Sequence, residues 1–173
     1  MLREFGMENL SGRNTPFPAK TYLTTDMCPK TDEEQALAET RPYGRVVGKC
    51  MYLVTCTRPD IAWGVHELAK FMSNHGEQHW TCAKHLLIYL SGTKSIGLIL
   101  GHRDNPYPLL KGLSDSDWAM AENRKSISGF VLLLNGSPIS WSSKQQVTVA
   151  LSSCEAEYIA CTHSARQIIW LQS

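Results

Sequence analysis

The passage that most constrains this chain is Ser128–Ser142, SGFVLLLNGSPISWS. Gly129–Leu134 is almost wholly apolar and too short for a helix, so it reads as a strand covered on both faces. Asn135-Gly136 follows at once, the dipeptide whose tolerance of positive φ favours a hairpin. Ser137 and Pro138 predict a turn longer than two residues. Ile139 and Trp141 then alternate with Ser140 and Ser142, the period of a half-buried strand. Upstream, Leu113–Trp118 reads as a strand, which makes an antiparallel meander over Leu113–Ser142. Gly97–Leu100 (GLIL) is a further short strand candidate, and Gly101–Pro108 reads as a loop.

The chain before the meander follows another period. Val46, Val47, Cys50, Met51 and Val54 recur at helical spacing and predict a helix that ends before Thr57. Pro59 suits a first helical turn, where its missing N–H costs nothing, so a second helix starts there with Ile61, Val65, Leu68, Ala69 and Met72 on one side. Ala83, Leu86, Leu87 and Leu90 mark a third helix that stops at Gly92. Residues 1–41 carry Pro16, Pro18 and Pro29 without a sustained period and read as linker, with one helical turn over Asp32–Glu39. Beyond the meander, Ser152 and Glu155 form a capping-box pattern that starts a last helix at Ser153 and runs it to about Leu171. The expected fold is α+β: residues 1–41 linker, 42–95 a three-helix unit, and 96–173 a three-stranded antiparallel meander with one packed helix.

Composition narrows the function classes. Seventeen Lys and Arg against sixteen Asp and Glu give a net charge of +1, which excludes a polybasic nucleic-acid tail and an acidic disordered arm. No apolar run is long enough to cross a membrane, so no membrane partner is expected. Met1–Leu10 lacks the apolar core of a secretory signal, which predicts an intracellular chain, in cytoplasm or nucleus. The six cysteines include no C-x-x-C pair and read as reduced thiols.

Two sets of carboxylates stand out. Asp115 and Asp117, two apart on a strand, leave one face about 7 Å apart. They suit either an ordinary strand edge or half of a divalent-metal site. On the last helix Glu155 and Glu157 point to nearly opposite sides. Glu157 shares its side with Ala160, Cys161, Ser164 and Ile168, which reads as the packing face. A glutamate there needs a partner. A metal shared with Asp115 would supply one, and so would a salt bridge from Arg124 or Lys125. His75, His79, Cys82 and His85 make a helical stripe of soft ligands, but lack an H-E-x-x-H order and read as structural. Trp63, Trp80, Trp141 and Trp170 read as core. Trp118, next to the carboxylates, is either packed or in contact with substrate.

Several blocks together carry a resemblance. SDSDWAMAENRKSISGFVLLLNGSPISWSSKQQVTVALSSCEAEYIA resembles the start of the ribonuclease H domain in the Pol polyproteins of Ty1/copia-type retrotransposons. RPYGRVVGKCMYLVTCTRPDIAW and HWTCAKHLLIYLSGTKSIGLIL are similar to the stretch joining the reverse transcriptase of those elements to that domain, and LREFGMEN with NTPFP to the end of the polymerase. The resemblance implies that Asp115 and Glu157 are catalytic and metal-binding, with Asp117 supporting. It implies Mg2+ as the cofactor of the intact enzyme and an RNA/DNA hybrid as its substrate, read by shape.

Against that pattern, the polymerase Y-x-D-D motif and the later ribonuclease H aspartates are missing. The resemblance therefore implies a truncated ribonuclease H-like domain, a vestigial site, no secure cofactor for this chain and no autonomous catalysis. The strand carrying Asp115 is expected to leave one edge open, a route to self-association. Two alternatives remain: a Mg2+-dependent hybrid nuclease completed by self-association or a second fragment, and a non-enzymatic effector of a plant pathogen secreted into a host cell. The second lacks support from any R-x-L-R string.

Overall fold

The computed structural model describes residues 1–8, 10–101 and 109–173. They form two compact units, Met1–Gly97 and Leu98–Ser173. The class is α+β, as expected: five α-helices and one three-stranded antiparallel sheet.

The first unit is helical. Helices α1 (Asp32–Glu39), α2 (Tyr43–Cys56), α3 (Ala62–Ala69) and α4 (Glu77–Gly92) are joined by short turns, and Pro59–Ile61 forms a 3-10 turn that leads into α3. Thr31 caps α1 by accepting from the Glu34 N–H. Val46, Val47, Cys50, Ile61, Val65, Leu68, Ala83, Leu86 and Leu87 form the core, so the helical periods mark the faces that are buried. Met51 and Met72, expected in those stripes, are exposed at their margins.

The first 41 residues differ from a linker. Phe17 and Leu23 are buried in the same core. Ser91 Oγ donates to the Glu8 carbonyl at 3.0 Å, and His85 Nε2 bonds the Thr15 carbonyl at 2.9 Å. Gly12 and Gly92 cross so closely that a Cβ on Gly12 would fall 2.7 Å from the Gly92 Cα. Scattered prolines hid this, because the segment packs through isolated apolar residues without a period.

The TRPDIA block is a knot at one end of this unit. Arg58, 7% exposed, forks onto Asp60 (Nε–Oδ1 2.9 Å, Nη2–Oδ2 2.7 Å) and reaches Thr93 Oγ1 at 2.7 Å. Tyr89 donates to the same Asp60 carboxylate at 2.8 Å. Burial would raise the Asp60 pKa, but these bonds overcome it and hold the carboxyl below its usual value. His79 is fully buried at the start of α4, accepts from the Gly76 N–H at 2.9 Å and lies on Phe71 at 4.0 Å between ring centroids. Among the described residues no group of three or more His, Cys, Asp or Glu side chains is placed to hold a metal.

The second unit contains β1 (Leu110–Asp117), β2 (Ile127–Leu134), β3 (Ser137–Gln145) and α5 (Ser153–Gln172), with sheet order β1-β2-β3. The hairpin is tighter than expected. Leu134 pairs with Ser137, leaving only Asn135 (φ 51°) and Gly136 (φ 83°) between the strands, both left-handed. Pro138 sits inside β3, on a sheet edge that needs no donor there, and the register shift between Leu132 and Leu133 leaves Ile139 as the extra residue. β2 is covered on one face, since only Ser128 and Leu132 are buried along it. Gly97–Leu100 is not a strand: no described segment pairs with it, and Ile99 and Leu100 stay exposed. Of the expected loop Gly101–Pro108, residues 102–108 lie outside the described residues. Trp170 is exposed in the last turns of α5, not core.

Candidate functional site

The site begins with the way α5 lies along the sheet. Gly112 on β1 has no side chain, and a Cβ there would fall 2.8 Å from Ser164 Oγ and 2.9 Å from Ile168 Cδ1. The glycine thus lets the helix approach β1 closely. At the other end, Gln146, 2% exposed, donates from Nε2 both to Ser128 Oγ at 2.8 Å and to the Ala156 carbonyl at 2.9 Å. Ser128 pairs with Ser116 of β1. Helix and strand therefore run antiparallel, with residue 164 over 112 and residue 156 level with 116. The spans agree, since eight helical residues rise about 12 Å and four strand residues about 13 Å.

This register places Glu157 at the height of Asp115 and Ser116. Glu157 precedes Ser164 by nearly two full turns, so it shares the side of α5 that meets β1. It is exposed. The buried stripe of α5 is Ala156, Ala160 and Ser164, with Glu157 on its flank and Cys161 exposed. The expectation that Glu157 lies within the packing face is corrected accordingly. Ser152 Oγ accepts from the Glu155 N–H at 3.1 Å, and Glu155 Oε2 accepts from the Leu151 N–H at 2.7 Å, so the expected cap forms with its return bond one residue earlier.

Asp115 and Asp117 share a face, as their spacing required. Since Gly112 faces α5, alternation puts Leu113, Asp115 and Asp117 on the other face. Partial burial first, and the neighbouring Asp115 second, push the Asp117 pKa up. Asp115 and Glu157 therefore lie level along β1, an end strand of the sheet among the described residues, but on opposite faces of it, Glu157 on the side of α5 and Asp115 on the other. Trp118 is half anchored: Nε1 donates to the Ala150 carbonyl at 3.2 Å while 46% of the residue stays exposed.

Gln146 is the residue that sequence reasoning missed. Its block, ISWSSKQQ, carries part of the resemblance, yet a lone glutamine after a strand has no spacing signal. Ser126 Oγ accepts from the Ala119 N–H at 3.1 Å, and the Ser126 carbonyl accepts from the Gln146 N–H at 2.8 Å. The serines of RKSISGF and the end of ISWSSKQQ thus meet under the first turn of α5. Ser116 Oγ and Gln146 Oε1 are both buried without a hydrogen-bond partner among the described residues.

The chain is 43% identical over 173 residues to the Retrovirus-related Pol polyprotein from transposon TNT 1-94 of Nicotiana tabacum, covering 99% of this chain and 13% of that protein. It is 35% identical over 170 residues to the Retrovirus-related Pol polyprotein from transposon RE1 of Arabidopsis thaliana, covering 95% of this chain and 11% of that protein. It is also 44% identical over 131 residues to the Secreted RxLR effector protein 161 of Plasmopara viticola, covering 75% of this chain and 91% of that protein. The chain spans only a small part of the polyproteins it matches. No protein-family profile matches it, and no solved structure does.

Proposed function

This chain belongs to the Pol polyproteins of Ty1/copia-type retrotransposons, and we propose that within such a polyprotein it joins the polymerase to a ribonuclease H-like nuclease and contributes part of the nuclease centre. What supports this reading is the match to these polyproteins over nearly the whole chain, together with exposed carboxylates at Asp115 on β1 and Glu157 on the helix that packs on it. Exposed carboxylates are accessible to a duplex and await further ligands from beyond the edge of β1. Asp117 supports them by raising the local negative charge.

The residues present do not fit a pair of Mg2+ ions. Among the described residues no three acidic, histidine or cysteine side chains converge on one point, whereas each Mg2+ needs several oxygens in near-octahedral array. The reading accordingly expects no autonomous cleavage from the chain alone. The test is Mg2+- or Mn2+-dependent cleavage of labelled RNA in an RNA/DNA hybrid. The expected result is none for the chain alone, and cleavage when the following stretch of a related polyprotein is fused to it, lost in Asp115→Asn and Glu157→Gln. Cleavage by the unfused chain that both variants abolish would favour a nuclease completed by self-association instead. A fused chain indifferent to both substitutions would overturn the site.

The effector match favours a second reading, because it covers nearly all of that protein: a non-enzymatic interaction protein acting inside a host cell. A tagged chain expressed by a pathogen would then be found in host tissue, and absence from the host would exclude it.

A further inference from the structure

The two outer strands of the sheet treat their free edges differently. β3 carries Pro138 and a bulge, devices that stop a further strand from adding. β1 has neither: its pairing with β2 is unbroken from Leu110 to Asp117, and residues 111–115 are exposed. The Leu109 carbonyl accepts from the Asn135 N–H at 3.0 Å, so Leu109 turns its backbone groups to β2, and alternation turns those of residues 111, 113, 115 and 117 the same way. The amides and carbonyls of Leu110, Gly112, Ser114 and Ser116 therefore point outward, where no described strand takes them.

This edge complements itself. Two copies of β1 meeting antiparallel must set outward-pointing residues opposite one another, which allows only pairings whose residue numbers have an even sum. Centred on Leu113, such a pairing places Lys111 opposite the partner's Asp115, and the reverse, with Leu113 opposite its own copy. All three contacts fall on the face away from α5, in the closer pairs that share no backbone bond. Centred on Ser114, Lys111 would meet Asp117 but Leu113 would face a carboxylate. Centred on Gly112, no charges pair, and centred on Lys111 or Asp115, like charges meet. Neither Lys111 nor Asp115 has an ion pair among the described residues, and Leu113 is 48% exposed. Charges on an edge ordinarily repel a further strand; here they match those of a second copy.

We propose that β1 pairs antiparallel with β1 of a second copy about Leu113, joining two three-stranded sheets into one across a two-fold axis. Leu110 with Ser116 and Gly112 with Ser114, each twice, supply about eight backbone hydrogen bonds. The pairing uses Asp115 through its charge alone and draws on none of the nuclease reading.

One edge strand buries on the order of 400 Å² per copy, about half of a standard interface, so the dimer is weak and micromolar. Sedimentation velocity on the full chain from about 1 to about 200 µM spans that range. The expected result is a concentration-dependent dimer whose dissociation constant rises at least about tenfold in Lys111→Asp and returns to within about threefold of the original when Asp115→Lys is added, because the ion pairs re-form reversed. Ser114→Pro removes only an outward N–H, so β1 still pairs with β2 while the dimer is lost. In Leu113→Cys, mild oxidation should join two copies through the introduced cysteines, located by peptide mass spectrometry. Each variant is read where its far-ultraviolet circular dichroism matches that of the unsubstituted chain. A monomer throughout overturns the inference. So does a dimer that persists in Ser114→Pro and is unchanged by Lys111→Asp, the outcome expected if another surface holds the copies together.

Discussion

Replacing Gly76 by alanine tests the packing of the first unit on α4 most directly. Gly76 precedes α4 with an extended backbone (φ −99°, ψ −171°), so alanine meets no conformational strain there. The cost is steric: a Cβ would fall 2.0 Å from the Met27 carbonyl oxygen. An ordinary contact is over 3 Å, and the obstacle is backbone rather than a side chain that can swing away. Relief requires the Met27 segment to retreat by more than about 1 Å, which also disturbs the Gly76 N–H bond to buried His79. Overpacking of this kind costs roughly 1–3 kcal/mol. Alanine is also a poor N-cap, adding about 0.5–2 kcal/mol, while the stiffer unfolded chain returns about 0.4–1 kcal/mol. The net expectation is a loss of about 0.5–4.5 kcal/mol, read from urea unfolding followed by far-ultraviolet circular dichroism. Gly48 is the control, because it lies exposed in the middle of α2, where an added methyl would meet nothing within 4 Å. Gly48→Ala should stabilise by up to about 1 kcal/mol. An unchanged midpoint in Gly76→Ala, or equal losses in both variants, would refute the close approach.

Burial first and the neighbouring His75 second hold the His79 pKa down at about 4, against the opposing Thr24 carbonyl. An unfolded histidine titrates near 6.5, so the stabilisation is complete above that pH and is lost as pH falls through 4. The loss is on the order of 3 kcal/mol, and an acid titration of stability unchanged in His79→Gln would refute it. Arg58→Lys keeps the charge but not the fork onto Asp60 and Thr93, and should cost about 1–3 kcal/mol in thermal or urea unfolding. Asp115→Asn should lower the Asp117 pKa in a carbon-13 NMR titration, leaving only the effect of burial; no movement would mean the two carboxylates are not neighbours. Gln146→Ala strands Ser128 and the Ala156 carbonyl, and should cost about 1–3 kcal/mol while speeding amide exchange in the first turns of α5.

The helices were legible because each of α2, α3 and α4 buries one stripe, and a stripe is a period. The meander was legible for the same reason, with Asn135-Gly136 fixing where it turns. Pro138 misled, since a proline beside a turn usually belongs to it, and only an edge strand with a bulge can absorb one. Gly97–Leu100 has the composition of a strand, but a strand exists only where a neighbour takes its backbone groups. Phe17 and Leu23 were not legible as core, because isolated anchors in a proline-rich stretch have no period to detect. The blocks that carried the resemblance prove to be points of convergence within each unit: TRPDIA closes the Arg58 knot, and RKSISGF meets ISWSSKQQ at Gln146.

The orientation of α5 shows where periodicity stops being informative. Residues 156, 160 and 164 and residues 154, 158, 161 and 165 both make credible apolar stripes, and with two such sides a pattern cannot say which faces the sheet. Two local facts decide it: the absent side chain of Gly112, which admits Ser164 and Ile168, and the Gln146 amide, which grips the Ala156 carbonyl. Turning the helix this way moves Glu157 from the interior to the edge of β1. The desolvation penalty that made a buried glutamate demand a partner then disappears. What replaces it is accessibility, which the role proposed for Glu157 requires more than burial, because a phosphodiester would have to reach its carboxylate.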